Sequence, residues 1–323
     1  MRFWLLGLAV LLAVHVLATS TASLLVAARF GRARGWLAAL PPAERASRLL
    51  LAALFPFAVG LACAALVVPA WLVYEPRGTK ETPGLALVAL AAAGLALIAV
   101  RVGGGIRDAL RAHQVVAFFR REGRELGGLP LPASRAAYGF PVAALAGLWR
   151  PRLLLAEGVL RVLRPEELDA VVAHELAHVA ARDNLKRLLL RVSPDPLALT
   201  SLGRQLRAEF LEAAEAAADA QACARVAPTV LARALLKVAR LVPPSGGLDL
   251  ALASLHHEAS LAGRVHALVE ATPASAGGTA AARAAGSRVR LAIGLLIATG
   301  VASALAALAV VHQGLEGLVH FLS

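Results

Sequence analysis

Four runs of apolar residues, at 3–28, 49–74, 84–102 and 291–311, have about the 20 residues with which a helix crosses a bilayer core. Each is predicted as a transmembrane helix. The third, rich in Ala and Gly and ending at Arg101, also fits a buried helical hairpin on length alone. Residues 103–271 mix polar and apolar positions and predict a water-facing domain between the third and fourth spans. Within it, 108–125 has helical spacing with a basic face, and Gly103, Gly104 and Gly105 before it read as a hinge, lacking the Lys-Ser/Thr of a phosphate loop. A break at 127–132 starts a new unit. Apolar runs at 140–147 and 152–156 flank a turn and predict two strands, either a core hairpin or a substrate-aligning edge. Pro165, Glu166 and Glu167 then open a helix whose buried stripe is Leu168, Val171, Val172, Leu176 and Val179. A second helix is predicted at 205–226. Gly and Ser recur through 272–287, a flexible linker of 272–290 into the fourth span, which leaves a short tail at 312–323. The predicted fold class is therefore mostly α and integral to a membrane: four transmembrane helices, with an α+β domain inserted between the third and fourth.

Composition agrees, since 59% of residues are hydrophobic, 17% are charged and the mean hydropathy is +0.69. Short-loop arginines set the orientation. Arg29, Arg32, Arg34, Arg45 and Arg48 follow the first run, whereas Arg77 and Lys80 after the second are offset by Glu75 and Glu81. The first run is thus an uncleaved helix with its N-terminus outside, residues 103–288 are cytoplasmic and the tail is external. Arg107, Arg111, Arg283, Arg288 and Arg290 agree. The net charge of +12 does not suggest nucleic acid, because basic residues are scattered, aromatics are 5% and no nucleic-acid motif is present. An anionic lipid leaflet is the simpler partner. Cys63 and Cys223 form no disulfide framework or metal-ligand spacing.

Chemistry concentrates in His174-Glu175-Leu176-Ala177-His178. Histidines four apart on a helix project from one face and can share a metal ion, while Glu175 can reach a metal-activated water without coordinating the ion. Such a five-residue match needs support from a third ligand. Glu212, Glu215 and Asp219 lie at offsets of three and four on the second helix, where an acidic face calls for a cation opposite. Glu215 is the candidate third zinc ligand, and Asp219 could accept a ring N–H from a ligand histidine. The alternative is a solvated acidic face paired with Arg204 and Arg207. His15, inside the first run, reads as a packed polar group.

HExxH followed by Glu-x-x-x-Asp resembles the gluzincin arrangement. The fuller string, Glu166-Glu167-Leu168, the HELAH stretch, Arg182-Asp183-Asn184, Glu215 and Asp219, resembles integral-membrane zinc peptidases. Three spans before the motif and one after favour the BlaR/MecR antirepressor type over the HtpX type, which is similar to the eukaryotic CAAX prenyl proteases. The resemblance implies a zincin-like cytosolic domain, one zinc held by His174, His178 and Glu215, and Glu175 as the catalytic general base. It also implies supporting roles for Asp219 and for Asp183 at the end of the zinc helix. Residues 261–265 resemble an Arg-containing segment of both families, for which Arg264 fits either a structural salt bridge or a substrate or oxyanion contact; Tyr138 is a further oxyanion candidate. His256, His257 and His266 read as surface residues. The implied protein is a multi-pass zinc endopeptidase of a bacterial inner membrane, cutting a cytosolic or membrane-proximal protein such as a transcriptional repressor. Quality control of membrane proteins, as in the HtpX type, and a non-catalytic membrane scaffold are the alternatives. The external sensor domain of beta-lactam receptors has no counterpart after residue 311, so drug sensing does not carry over.

Overall fold

The computed structural model describes residues 2–78, 82–138, 143–148, 150–241, 258–270, 313–315 and 317. The predicted linker, the fourth span and His256 and His257 lie outside these residues, as does most of the tail.

Three helices, α1 (Arg2–Ala38), α2 (Pro42–Tyr74) and α3 (Leu85–Arg121), are long and apolar enough to cross a membrane. Only 33%, 17% and 22% of their most apolar windows are buried, which leaves wide apolar surfaces for lipid and disfavours a buried hairpin for the third. All three outlast the predicted spans. The segment read as the first loop is nearly all helix, interrupted only at 39–41, and its arginines do more than mark a membrane face. Arg34 and Arg45 reach Glu209 at 3.0 and 3.5 Å and tie the α1–α2 turn to a later helix. His15 packs as expected, its Nε2 lying 2.9 Å from the carbonyl oxygen of Pro194.

The predicted hinge is a correction. The helix runs unbroken through Gly103, Gly104 and Gly105, and the helical spacing read at 108–125 is its continuation as far as Arg121. Close packing explains the glycines: a Cβ on Gly105 would meet Val192 Cγ1 at 2.4 Å, and one on Gly104 would meet Arg191 Nη2 at 3.0 Å. Among the described residues nothing lies within 4 Å of a Cβ at Gly103. Substitution should therefore give opposite signs. Gly103→Ala is expected to stabilise by about 0.5–1 kcal/mol through helix propensity. Gly105→Ala should cost about 1–3 kcal/mol, because the β-branched Val192 has little freedom to retreat. Thermal unfolding in detergent measures both; a hinge would make the two alike.

The far end of α3 leads into a four-stranded sheet of order β1-β2-β4-β3, comprising β1 (Arg124–Leu126), β2 (Ala133–Ala136), β3 (Ala143–Ala146) and β4 (Arg152–Ala156). The β3–β4 hairpin appears where the sequence predicts it, pairing Ala143 with Leu155 and Leu145 with Leu153. The strands β1 and β2 were not predicted: they are three and four residues long, and β2 reads Ala-Ser-Arg-Ala. After α4 (Glu157–Val162) come α5 (Pro165–Ala181), α6 (Asp183–Val192), a 3-10 turn (Leu197–Leu199), α7 (Ser201–Ala222), α8 (Pro228–Arg240) and α9 (Glu258–Glu270).

Two hydrophobic cores hold α5 and α7 in place. In one, Leu153, Leu154 and Leu155 of β4 pack with Val171 and Val172 of α5, Val238 of α8 and Phe119 of α3, with Leu168, Leu176 and Val179 at its margin. Tyr138 joins that margin, its ring centroid 5.0 Å from Phe118 and 5.6 Å from Phe119. In the other, Phe30 and Leu37 of α1 and Leu49 of α2 pack with Leu190 of α6 and Leu206 and Phe210 of α7. The helix α7 is thus seated directly on the membrane helices.

Candidate metal centre

Local signals fix the frame of α5. Pro165 occupies its first turn, and the buried Glu167 carboxylate accepts the Arg164 backbone N–H at 2.8 Å and an Nζ–H of Lys237, on α8, at 2.7 Å. That frame turns His174, Glu175 and His178 inward, leaving them 2%, 5% and 6% exposed. At the other end Arg182 takes a left-handed conformation, φ 56°, and closes the helix. The chain then reverses into α6 with Asp183 beside the last turn of α5.

Asp183 Oδ2 lies 2.7 Å from His178 Nδ1, and Asp219 Oδ1, on α7, lies 2.9 Å from His174 Nδ1. Asp183 accepts the Nδ1–H of His178 and so directs its lone pair to Nε2, and the Asp219 carboxylate beside His174 Nδ1 favours the same tautomer there. The two Nε2 atoms face one another at 3.1 Å. Glu215 completes the group, Oε2 lying 3.4 Å from His174 Nε2 and Oε1 3.5 Å from His178 Nε2. These separations test the fit to zinc. Ligand bonds of roughly 2.0–2.1 Å in a tetrahedron put ligand atoms about 3.3 Å apart, close to all three values. Among the described residues the buried Glu215 Oε2 is met only by His174 Nε2 and, at 3.2 Å, by Arg264 Nη1. Ligand atoms converging in this way suit a cation, and two imidazoles with one carboxylate suit zinc.

Burial opposes charge on both histidines, yet Asp183 and Glu215 push His178 up to about 10, and Asp219 and Glu215 raise His174. For Glu215 burial is likewise outweighed, by hydrogen bonds from the two imidazoles that hold it well below the ordinary carboxylate range. Glu175 differs. Its carboxyl is pushed up by burial, with the histidines pulling the other way, and beside it a cavity of about 10 Å³ is lined by Ala143 and Leu235 among others. That is space for about one water.

The acidic face expected at 212, 215 and 219 divides. Glu212 is exposed, while Glu215 and Asp219 are 4% and 5% exposed. Their cations are not Arg204 and Arg207. Arg264 of α9 donates to Asp219 at 2.7 and 2.8 Å and approaches Glu215 at 3.2 Å. Arg187 of α6 donates to Glu215 Oε1 at 2.8 Å. Sequence reasoning missed Arg187, although its position one turn beyond Asp183 on the same helix face pointed to it. It also gave no role to Asn184, whose Nδ2 donates to the carbonyls of Leu145 and Gly147 at 3.3 and 3.1 Å and ties the end of β3 to α6. Tyr138 packs in the sheet core, and His266 is a surface residue 3.1 Å from Glu270.

Asp183 offers a direct check on how the histidines are held. Asp183→Ala frees the His178 ring, and zinc affinity should fall by about 10–100-fold in a chelator competition titration; an unchanged affinity would mean that the ring needs no such support.

Residues 139–248 match the profile of Peptidase family M48, a family of zinc-dependent peptidases; the match takes in α5 to α8 and hence His174, Glu175, His178 and Glu215. A search of curated proteins finds no significant match. Residues 139–248 are thus similar to a peptidase M48 domain and follow three apolar helices able to cross a membrane.

Proposed function

We propose that this protein is a membrane-embedded zinc endopeptidase acting on cytosolic or membrane-proximal protein. One observation carries the reading: the buried Glu175 carboxylate, without a hydrogen bond among the described residues, stands beside three converging donors and a water-sized void. Zinc held by His174, His178 and Glu215 would supply the positive charge that polarises a peptide carbonyl and acidifies water. Glu175 accepts the proton of the attacking water and delivers it to the leaving nitrogen. Asp219 and Asp183 keep the histidine lone pairs aimed inward throughout. Arg264 and Arg187 neutralise Asp219 and Glu215, so no net negative charge accumulates as the ligands assemble.

Substrate alignment has a candidate in β3, an edge strand beside α5. Since the Leu145 carbonyl faces Asn184, alternation along the strand turns the backbone of Ala143 to the same outer side, next to His174 and Glu175. An extended peptide could add there as a further strand. Cytosolic placement of the domain, in a bacterial inner membrane, is supported by the arginines that follow the first run.

The three spans ahead of the zinc helix support the BlaR/MecR antirepressor type, with a transcriptional repressor as substrate; the zinc motif is shared with the HtpX type, whose substrates are membrane proteins. The experiment is to reconstitute the chain, offer it soluble repressors and damaged membrane proteins, and map products by mass spectrometry. Internal cuts that stop on chelation are expected. No cleavage of either class by the zinc-loaded chain would contradict the proposal and favour a non-catalytic scaffold.

A further inference from the structure

A second polar site lies away from the zinc ligands. Between α2, α3, α6 and α7 a cavity of about 360 Å³ is lined by Arg101, Arg191, Arg204 and Arg207, with Asp195 as their only acidic companion on its wall among the described residues. Its size is within the roughly 300–1,000 Å³ typical of small-ligand sites.

Most of these groups already have partners. Arg101 donates to the carbonyl of Ser193 at 2.9 Å and to that of Leu190. Arg191 pairs with Asp108, and Arg204 donates to the Leu199 carbonyl at 3.0 Å. Asp195 accepts the backbone N–H of Ala198 at 3.0 Å. Arg207 is the exception: it is partly buried and makes no hydrogen bond or ion pair among the described residues. Burial, and after it the like charge of Arg191, lowers its pKa, with Asp108 opposing. A guanidinium left in that position is unfavourable unless an anion joins it.

Depth identifies the anion. Val100 and Arg101 end the apolar stretch of α3, and Ala53 sits a turn inside the apolar stretch of α2. The cavity thus spans the boundary where hydrocarbon gives way to lipid headgroups, and basic pockets between spans at that level suit phosphate-bearing headgroups.

We infer that this cavity is a binding site for a phosphate group, donated by an anionic phospholipid headgroup and held chiefly by Arg207 and Arg204. The inference is independent of peptidase activity. Full-length protein in nanodiscs of phosphatidylcholine, with or without phosphatidylglycerol, tests it by native mass spectrometry and thermal unfolding, with inorganic phosphate as a separate arm. One phosphatidylglycerol should remain bound per chain, and Arg207→Gln should weaken it about tenfold or more, the loss of a charge-assisted contact. Because Arg207 has no internal partner among the described residues, R207Q should unfold no earlier than wild type in phosphatidylcholine alone, yet gain nothing from phosphatidylglycerol. Protection by inorganic phosphate without lipid retention would overturn the lipid as the source. Retention equal in wild type and R207Q, or binding of neither probe, would overturn the site.

Discussion

Glu175→Gln is expected to lower peptide hydrolysis by about 10³-fold while the protein keeps its zinc and its stability. General-base catalysis contributes about 10²–10⁴, and the substitution removes only the proton acceptor. Glutamine has the same shape, and among the described residues the Glu175 side chain has no hydrogen bond to lose. The proposed ligand atoms are those of His174, His178 and Glu215, which the substitution leaves in place, so metal content should hold. Replacing a buried carboxylate by a neutral amide also removes a desolvation cost, and the unfolding temperature should stay level or rise. Zinc content by mass spectrometry, hydrolysis of a cleavable peptide and thermal unfolding separate these effects. Wild-type turnover in the variant would take Glu175 out of the chemistry.

Arg264→Met should have the largest effect on stability. Arg264 is 7% exposed and its guanidinium spans Asp219 and Glu215, joining α9 to α7. Removing it strands two buried carboxylates, and breaking a buried pair from one side costs about 3–5 kcal/mol. The loss should be greatest in chelator, because a metal ion beside Glu215 restores some of the missing positive charge. Combining Arg264→Met with Asp219→Asn should cost less than the sum of the two changes, since the stranded charge is then gone. Equal stability of R264M and wild type in chelator would show that this network does not hold the site. The geometry gives Arg264 a structural role: its N–H groups are directed at Asp219 and Glu215.

The zinc helix was legible because its signals are local. Pro165 at the start, apolar positions in a helical stripe and two histidines four apart all depend on neighbours in sequence. Glu215 and Asp219 were legible for a related reason, since charges that would repel on one helix call for a partner elsewhere. What that partner was depended on tertiary packing. Arg187 and Arg264 displaced Arg204 and Arg207 because α6 and α9 bring them beside the α7 carboxylates. Composition misled at 103–105: glycine signals flexibility in isolation, but here it admits the Val192 side chain against the α3 backbone. The strand β2 escaped notice because its Ala-Ser-Arg-Ala has little apolar alternation; it is a strand through parallel pairing with β4. The helices α1 and α3 ran past their predicted ends because apolar length reports what lipid requires, not where hydrogen bonding stops.

The most direct test of a hydrolytic zinc centre is turnover as metal is returned to the chelated, reconstituted protein. Peptide hydrolysis should rise in proportion to added zinc and level off at one ion per chain, with Glu175→Gln flat across the same titration. Hydrolysis by the metal-free chain, or a zinc-saturated chain whose turnover is unchanged by Glu175→Gln, would contradict it.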